Sequence, residues 1–249
     1  MPCKKELLKT FLKGIETGDA MAAAVVNEAK YIQHNPQTHE GSEGIASLFA
    51  RLSKTDPKVT FVRVFEDGDF AFAHIQYDFS SLRVAFEVFR FEDGQAVEHW
   101  DNIQPDQPLN PAGRGMLDGS VAIMDRDKTE ANRALVREFV QEVCVAQRFD
   151  RLPDYVRADL LQHHPKIGDG AKALHAALQA TADSLHYTQV HRVLAEGNFV
   201  LCVSEGWHGD LHSSFYDLFR MEAGRIVEQW NTTETVPPRA EWKNDNGKF

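Results

Sequence analysis

The sequence contains the same pattern of residues twice, at positions about 129 residues apart. The segment Tyr31–Pro36 recurs as Leu160–Pro165, and both read Gln-His-x-Pro at their ends. After a one-residue insertion, Phe86–Asp101 aligns with Tyr216–Asn231, with seven identities in 16 positions. Chance similarity would produce about one identity over that length. The chain is therefore predicted to fold as two copies of one small domain.

We expect the first domain to span residues 1–128 and the second, a degenerate copy, to span 129–249. Three prolines between residues 105 and 111 mark the start of a linker, which is also a C-terminal extension of the first copy. Each copy has enough apolar sequence for a core of its own, since 43% of the chain is hydrophobic.

Each copy is predicted to begin with helices and continue as an antiparallel meander, the order of an α+β domain. Apolar residues at helical spacing predict first helices at 7–15 and 135–143. Further helices are expected at 19–30 and 44–52, and in the second copy at 152–159 and 171–182. Alternating apolar residues predict four strands per copy, at 59–65, 70–79, 83–91 and 96–104, and at 187–194, 199–207, 213–221 and 226–233.

Composition and charge argue against several classes of protein. The formal net charge is −10 and the sequence has no Lys/Arg cluster, so we expect no nucleic-acid partner. No run of 18 apolar residues predicts a membrane span, and the first residues lack the apolar stretch of a secretory signal. The three cysteines have neither metal-ligand nor disulfide spacing, which favours a reducing, cytoplasmic location.

Three segments carry a resemblance to a known family: Tyr31–Pro36, Phe89–Gln104 and the tail Asn110–Gly119. They resemble the SnoaL-like polyketide cyclase branch of the nuclear transport factor 2-like superfamily. The resemblance implies two tandem cone-shaped domains, each with three N-terminal helices packed on a curved antiparallel sheet. It also implies a mostly apolar pocket at the open end of each cone, the usual form of a small-ligand site. The superfamily hosts isomerases, hydrolases, cyclases and non-enzymes, so the reaction stays undefined.

The last two strands of the first copy carry the main candidate catalytic residues. His99 and Asp101 share one face of their strand, because side chains alternate. A three-residue hairpin loop at Glu92–Gly94 would place Glu87 opposite His99 and diagonal to Asp101. A two-residue loop would instead put these groups on opposite faces. Two carboxyl groups close together in an apolar pocket separate in pKa, which suits general acid/base catalysis. The alternative is an ordinary solvated strand face.

Other candidates are expected around the pocket. His34 is a candidate catalytic proton shuttle, and the alternative is an imidazole that caps backbone groups at its turn. His74 is expected to face either the pocket or solvent. The pair His163-His164 lacks a third residue at ligand spacing, so we expect no metal and no cofactor. The candidate substrate-binding residues are Tyr31, His74, Phe89, His163, Asp217 and Asn231.

The two copies differ at the candidate catalytic positions. The second copy replaces Glu87, His99 and Asp101 by Asp217, Gln229 and Asn231. Amide side chains form hydrogen bonds but do not exchange protons near neutral pH. We therefore expect any chemistry to lie in the first copy, with the second copy as a binding or structural partner.

The sequence favours a small-molecule enzyme that applies general acid/base catalysis to an apolar carbonyl compound. The alternative is a non-catalytic ligand-binding or assembly module of the same fold. The resemblance also implies pairing through the outer faces of the sheets. We therefore expect an intramolecular pseudo-dimer of the two copies, with Trp100 and Trp230 at the contact, and a homodimer is a further possibility.

Overall fold

The computed structural model describes residues 2–180 and 184–249, which form two compact units. The first unit contains the chain up to Pro105 together with Pro237–Phe249, and the second contains Asp106–Val236. Each unit packs helices on one five-stranded sheet, so the predicted α+β class and tandem duplication are confirmed. Within the described residues, the helices are too short or too polar to cross a membrane.

The first unit has two α-helices and five strands. Its helical elements are α1 (Lys4–Thr17), a 3-10 helix (Ala20–Val25) and α2 (Gly41–Leu52). Its strands are β1 (Ile32–Gln33), β2 (Lys58–Asp67), β3 (Phe70–Asp78), β4 (Leu82–Glu92) and β5 (Gln95–Pro105). The strand order is β1-β5-β4-β3-β2, with β1 parallel to β5 and all other pairs antiparallel.

Helix α1 packs on the sheet through residues at i, i+3, i+4 and i+7, the stripe that its sequence predicts. Phe11, in the centre of this stripe, makes edge contacts with Phe49 of α2 and Phe89 of β4, with ring centroids 5.2 and 5.1 Å apart. A β-carbon at Gly14 would lie 2.6 Å from Ala22 and Phe49, so glycine permits the close approach of these segments. The core therefore lies between the helices and the face of β4 that carries Phe89.

The second unit repeats this plan. Its helices are α3 (Thr129–Phe139), which continues into a π-helical turn (Val140–Val145), α4 (Leu152–Tyr155) and α5 (Ala171–Leu178). Its strands are β6 (Val156–Gln162), β7 (Leu185–Glu196), β8 (Phe199–His208), β9 (Leu211–Glu222) and β10 (Arg225–Thr235), in the order β6-β10-β9-β8-β7.

The second predicted helix of each copy was too long. Only the 3-10 helix Ala20–Val25 forms within 19–30, and in the second copy α4 ends at Tyr155. The chain then enters a parallel strand, β1 or β6, that pairs with the last strand of its sheet. Backbone pairing across the sheet overrides the weak local helical pattern there. The last residues of the helix predicted at 171–182 lie outside the described residues, and α5 ends at Leu178.

A bulge in β5 determines which side chains share a face. The turn between β4 and β5 has two residues, Asp93 and Gly94, with φ of 49° and 80°. The predicted three-residue loop was therefore wrong. Val97 is an extra residue in β5, and the bulge that it forms compensates for the missing loop residue. Glu87 consequently lies opposite Asp101, two residues away from the predicted register.

The same turn and bulge occur in the second unit. Ala223 and Gly224 form the turn, with φ of 47° and 72°, and Val227 is the extra residue in β10. Asp217 consequently pairs with Asn231, as Glu87 pairs with Asp101. Because both copies keep this irregularity, the faces of their last two strands correspond position by position.

The segment that follows the last strand of each copy belongs to the other unit. Asn110, after β5, donates its amide to two backbone carbonyls of the second unit, at 2.6 and 3.0 Å. Asn244, after β10, donates to the carbonyls of Asn35 (2.7 Å) and Thr38 (3.0 Å) in the first unit. Both asparagines are buried. The two copies have thus exchanged their C-terminal tails, the arrangement of a domain swap within one chain.

This exchange changes the division of the chain. The boundary at 128/129 stays a prediction for the repeat in the sequence, and the first folded unit combines the chain up to Pro105 with Pro237–Phe249. The reason is that residues 106–128 make their contacts with the second unit, and Pro237–Phe249 contacts the first.

We expect Asn244→Ala to lower the free energy of unfolding of the first unit by about 1–3 kcal/mol, because two buried carbonyls lose their donor. Urea denaturation measures this change. Asp245→Ala is the matched control, since Asp245 is its exposed neighbour, and its effect should stay within about 0.5 kcal/mol. Equal effects of the two substitutions would show that the tail is not held by Asn244.

Candidate active site

The first unit holds a buried, hydrogen-bonded pair formed by Glu87 of β4 and His99 of β5. The Oε2 atom of Glu87 lies 2.6 Å from Nε2 of His99, and its Oε1 accepts a hydrogen bond from the hydroxyl of Tyr77 at 2.7 Å. Only 2% of Glu87 and 6% of His99 is exposed. Phe89 stacks on the imidazole, with ring centroids 4.3 Å apart. The pair therefore sits in apolar surroundings, where electrostatic interactions are strong.

The other side of His99 determines which of its nitrogens carries a proton. Nδ1 of His99 lies 2.9 Å from Oε1 of Gln33, which also accepts a hydrogen bond from the backbone N–H of Asn35. Because this oxygen is an acceptor, Nδ1 must be the donor. A single further proton is then shared between Nε2 of His99 and Glu87. The two groups hold it either as a neutral acid beside an imidazole or as an ion pair.

The second carboxyl group of the site, Asp101, has a different set of partners. Its Oδ2 accepts a hydrogen bond of 2.6 Å from the side-chain amide of Asn35. Its Oδ1 accepts one of 3.1 Å from the ammonium group of Lys248, which reaches the site from the exchanged tail. Both partners of this ion pair are buried, with 4% or less of either side chain exposed. Asp101 therefore has a positive charge beside it, whereas Glu87 has an imidazole.

These environments shift the pKa values of the two carboxyl groups in opposite directions. Burial raises the pKa of Glu87 by more than the hydrogen bonds from His99 and Tyr77 lower it, and the charge of Asp101 adds to the rise. Burial also acts to raise the pKa of Asp101, but the charges of Lys248 and His99 and the hydrogen bond from Asn35 outweigh it. The pKa of Asp101 is therefore lowered, and at neutral pH this carboxylate is ionised.

Two of the predicted substrate-binding residues lie at this cluster. Phe89 contacts His99, and the hydroxyl of Tyr31 lies 3.5 Å from Nε2 of Gln33. Tyr31 is buried, and burial, together with the charges of Glu87 and Asp101, raises the pKa of its hydroxyl well above the usual value. This phenol is therefore not an anion at neutral pH, and its oxygen accepts the hydrogen bond from the amide of Gln33.

The structure does not bring His34 or His74 to the cluster. His34 stacks on Trp100 (4.7 Å) and bonds Glu98, and both of these residues point away from the face of β5 that carries His99. His74 stacks on Phe86 (4.3 Å), on the opposite face of the sheet from Glu87. The predicted placement of His34 near the reacting groups is wrong, because it is the alternating neighbours Gln33 and Asn35 of its segment that face the site.

His163, the counterpart of His34, is also on the outer face of its sheet. It stacks on Trp230, with ring centroids 4.8 Å apart, and its Nε2 lies 3.0 Å from Glu228. Trp100 and Trp230 are both buried, at 1% exposure or less. The histidine-tryptophan stack is thus a structural feature that both copies share.

Four residues of the first site were missed in the sequence: Gln33, Asn35, Tyr77 and Lys248. Gln33, Asn35 and Tyr77 alternate correctly with residues on the site face, so strand periodicity carries a signal for them. Lys248 has no such signal, since it is 147 residues from Asp101 and arrives only through the exchanged tail.

The corresponding position of the second unit has amides in place of the imidazole and of the second carboxyl group. Asp217 accepts hydrogen bonds from the side-chain amides of Asn231 (2.8 Å) and Gln229 (3.1 Å), and from the hydroxyl of Tyr187 (3.0 Å). Burial raises the pKa of Asp217 to about 6, although all three hydrogen bonds act to lower it. Among the described residues, the hydrogen-bond donors to this carboxyl group are two neutral amides and a phenol.

The tyrosine that donates a hydrogen bond to the buried carboxyl group, Glu87 or Asp217, comes from a different strand in each unit. Tyr77 on β3 pairs with Val59 on β2, whereas in the second unit Gly206 on β8 pairs with Tyr187 on β7. The tyrosine and the smaller residue opposite it therefore stand on opposite strands of the pair in the two units. A β-carbon at Gly206 would collide with the backbone of the neighbouring strand, so a tyrosine does not fit there. The hydrogen bond to the carboxyl group is nevertheless preserved.

The second unit has almost no space beside Asp217. A cavity lined by apolar side chains and by His164, Tyr187, Asp217, Gln229 and Asn231 has a volume of about 10 Å³, no more than a single water needs. The predicted substrate-binding residues Asp217 and Asn231 thus line a nearly filled cavity.

The cluster in the first unit also has the composition of a metal site. One possible ligand atom from each of Glu87, His99 and Asp101 lies within 4.8 Å of the others. These atoms are already bonded to one another, to Tyr77 or to Lys248, however. A divalent cation here would face the ammonium group of Lys248 at close range. The donor set therefore fits shared protons better than a metal, and we assign no metal ligands.

Comparison with known proteins agrees with the duplication. The family profile of the SnoaL-like domain matches residues 8–99 and again residues 136–229. No curated protein sequence matches the chain.

Solved structures of similar fold cover one copy each. TsrD from Streptomyces laurentii is 23% identical, with 40% of this chain and 86% of that chain covered (TM-score 0.35). A putative ketosteroid isomerase from Kribbella flavida DSM 17836 is 16% identical, with 45% and 84% covered (TM-score 0.38). A putative polyketide cyclase from Bacillus cereus ATCC 10987 is 17% identical, with 39% and 72% covered (TM-score 0.36).

The raised pKa of Asp217 predicts a pH dependence of stability. Its folded-state value of about 6 exceeds the ordinary 3.8, so its stabilising contribution is complete below about pH 4 and is lost as the pH rises through about 6. Asp217→Asn, which keeps acceptor and donor atoms, should raise the free energy of unfolding at pH 7 by about 3 kcal/mol. Urea denaturation from pH 4 to 7 should show this advantage vanishing toward pH 4. The exposed control Asp210→Asn should show no such trend. A wild-type advantage at pH 7 would contradict the raised pKa.

Proposed function

This chain belongs to the family of SnoaL-like domains in both of its copies, and we propose that its first unit is an enzyme that moves a proton on an apolar carbonyl compound. The observation that carries this proposal is the opposed pair of carboxyl groups, Glu87 and Asp101. They face each other across β4 and β5, one with a raised pKa and one with a lowered pKa. General acid/base catalysis needs such a division between a proton holder and an ionised base.

In the proposed mechanism, Asp101 is the base. Its carboxylate removes a proton from the carbon beside the carbonyl group, because it is ionised and two of its lone-pair positions remain after the bonds to Asn35 and Lys248. The Glu87–His99 pair holds the shared proton and donates it to the carbonyl oxygen or to a neighbouring carbon. This sequence of proton transfers serves enolisation, double-bond isomerisation and aldol closure, and it requires no cofactor.

The surroundings of the pair support an apolar substrate. Phe89, Phe91, Ile75 and the ring of Tyr77 belong to the hydrophobic core that encloses the cluster. In such surroundings a hydrogen bond to a developing oxyanion is stronger than in water. Burial of the cluster also means that access of a substrate requires side chains at the site to move.

We propose the alternative function, a non-catalytic binding or assembly module, for the second unit. Its single carboxyl group is hydrogen-bonded to amides, and the cavity beside it holds about 10 Å³. A cytoplasmic location, pairing of the copies as a pseudo-dimer and formation of a homodimer stay predictions.

Proton exchange provides a test that does not require the natural substrate. The full-length protein is incubated in D₂O with a panel of apolar ketones, 1,3-diketones and β,γ-unsaturated ketones, and deuterium incorporation is followed by NMR. We expect exchange above the buffer rate with at least one compound. Asp101→Asn should lower the exchange rate about 10²-fold or more, the usual contribution of a catalytic base.

The second copy supplies the matched control. Asn231→Ala should leave the exchange rate unchanged, because Asn231 occupies the position of Asp101 in the unit where an amide replaces this carboxylate. Equal losses in the two variants, or no exchange with any compound of the panel, would contradict the proposed function.

A further inference from the structure

The first site contains a buried lysine from the opposite end of the chain. Lys248 is 3% exposed, and its ammonium group bonds Oδ1 of Asp101 at 3.1 Å. A buried ammonium ion loses several kcal/mol of hydration, so it persists only when a partner compensates it. Asp101 is that partner.

The tail is held in place by bonds of the residues that precede Lys248. Asn244 donates to two carbonyls of the first unit, and the amide of Asn246 donates to the carbonyl of Gln33 at 3.0 Å. Nδ1 of His34 lies 3.0 Å from the carbonyl of Gly247, which immediately precedes Lys248. The position of the lysine is therefore defined by a series of directional bonds and not by the ion pair alone.

The second unit has an equivalent tail without the charge. Nδ1 of His163 lies 2.8 Å from the carbonyl of Gly115, as His34 does from Gly247. The next residue is Met116, which is buried like Lys248. Lys248 thus occurs in the unit that contains Asp101, and Met116 occurs in the unit that contains Asn231. The first unit has both the ammonium group and the carboxylate, and the second unit has a neutral side chain at each of these two positions.

We propose that Lys248 is a positioning residue of the first site, where it keeps Asp101 ionised and oriented, so that this site is complete only when the tail of the second copy is seated. The inference deepens the proposed function, because it assigns a role to the second copy in the chemistry of the first. The duplication then affects more than stability, because the tail of the second copy contributes the ammonium group of Lys248 to the site of the first copy.

The charged and titratable groups that face Asp101 explain why the cation matters. Glu87 lies across from it on β4, His99 precedes it on the same face of β5, and Tyr31 and Tyr77 are within electrostatic reach. Only Lys248 and His99 among these favour its ionised form. Without Lys248, burial and the neighbouring carboxyl group both act to protonate Asp101, and the difference between base and proton holder is lost.

The first experiment measures the ionisation of Asp101 directly. The full-length protein is labelled with ¹³C-aspartate, and the carboxyl resonance of Asp101 is identified by its loss in Asp101→Asn. In Lys248→Met, the titration midpoint of this resonance should rise by about 1–3 pH units. Lys248→Arg, which keeps the charge, should hold the midpoint near that of the unsubstituted protein.

Lys243→Met is the matched control, because Lys243 is an exposed lysine of the same tail and the substitution removes the same charge. It should leave the midpoint unchanged. An unchanged midpoint in Lys248→Met, or an equal rise in both variants, would overturn the proposal.

A double-substitution cycle covers the case in which the single variant folds poorly. Asp101→Asn and Lys248→Met should each lower the Tm by roughly 6–12 °C, because each removes one of the two opposite charges of the buried ion pair. Their combination recreates the neutral pair of the second unit and should recover most of that loss. Additive losses would overturn the proposal.

The ketone exchange assay separates this inference from the proposed function. If Lys248 positions the catalytic base, Lys248→Met should lower the exchange rate at pH 7 at least 10-fold and shift the pH profile upward with the Asp101 midpoint. If the unsubstituted protein and all variants fail to promote exchange with any compound, the proposed function is wrong. The NMR titration and the cycle still decide whether Lys248 keeps Asp101 ionised.

Discussion

Two carboxyl groups face each other in the interior of the first unit, and most of its polar structure offsets the cost of burying them. Burying one charge without a partner costs several kcal/mol, and two like charges in contact cost more. Glu87 is therefore bonded by Tyr77 and His99, and Asp101 by Asn35 and Lys248. These partners come from strands distant in sequence, from the turn after β1 and from the exchanged tail.

The second unit has the same backbone arrangement but does not bury two carboxyl groups against each other. It keeps the two-residue turn and the bulge, so Asp217 and Asn231 face each other as Glu87 and Asp101 do. With amides around its single carboxyl group, it needs no cation, and Met116 takes the place of the lysine after the tail's glycine. The pKa of Asp217, near 6, reflects burial that the hydrogen bonds only partly offset. Both copies thus keep the fold, whereas the opposed pair of carboxyl groups occurs in the first copy.

Exchange of the tails makes the two copies depend on each other. Because both tails are part of one chain, each is present at a high effective concentration beside the unit that it completes. The bonds that hold them are alike, with a buried asparagine and a histidine-to-carbonyl contact in each unit. A chain with one copy alone would carry its own tail, without Lys248. A duplicated chain can evolve the two tails separately, and here the tails differ, with Lys248 after Gly247 and Met116 after Gly115.

The sequence by itself determined the duplication, the α+β order of the elements and the eight long strands, because repeats and apolar periodicity depend only on local residue order. It also indicated Glu87, His99 and Asp101, although through an incorrect loop length. Only the tertiary structure decided that they meet, since the bulge at Val97 arises from pairing between strands. The same holds for Lys248 and for the outward position of His34. A contact over 147 residues depends on which unit receives the tail, and no local pattern encodes that choice.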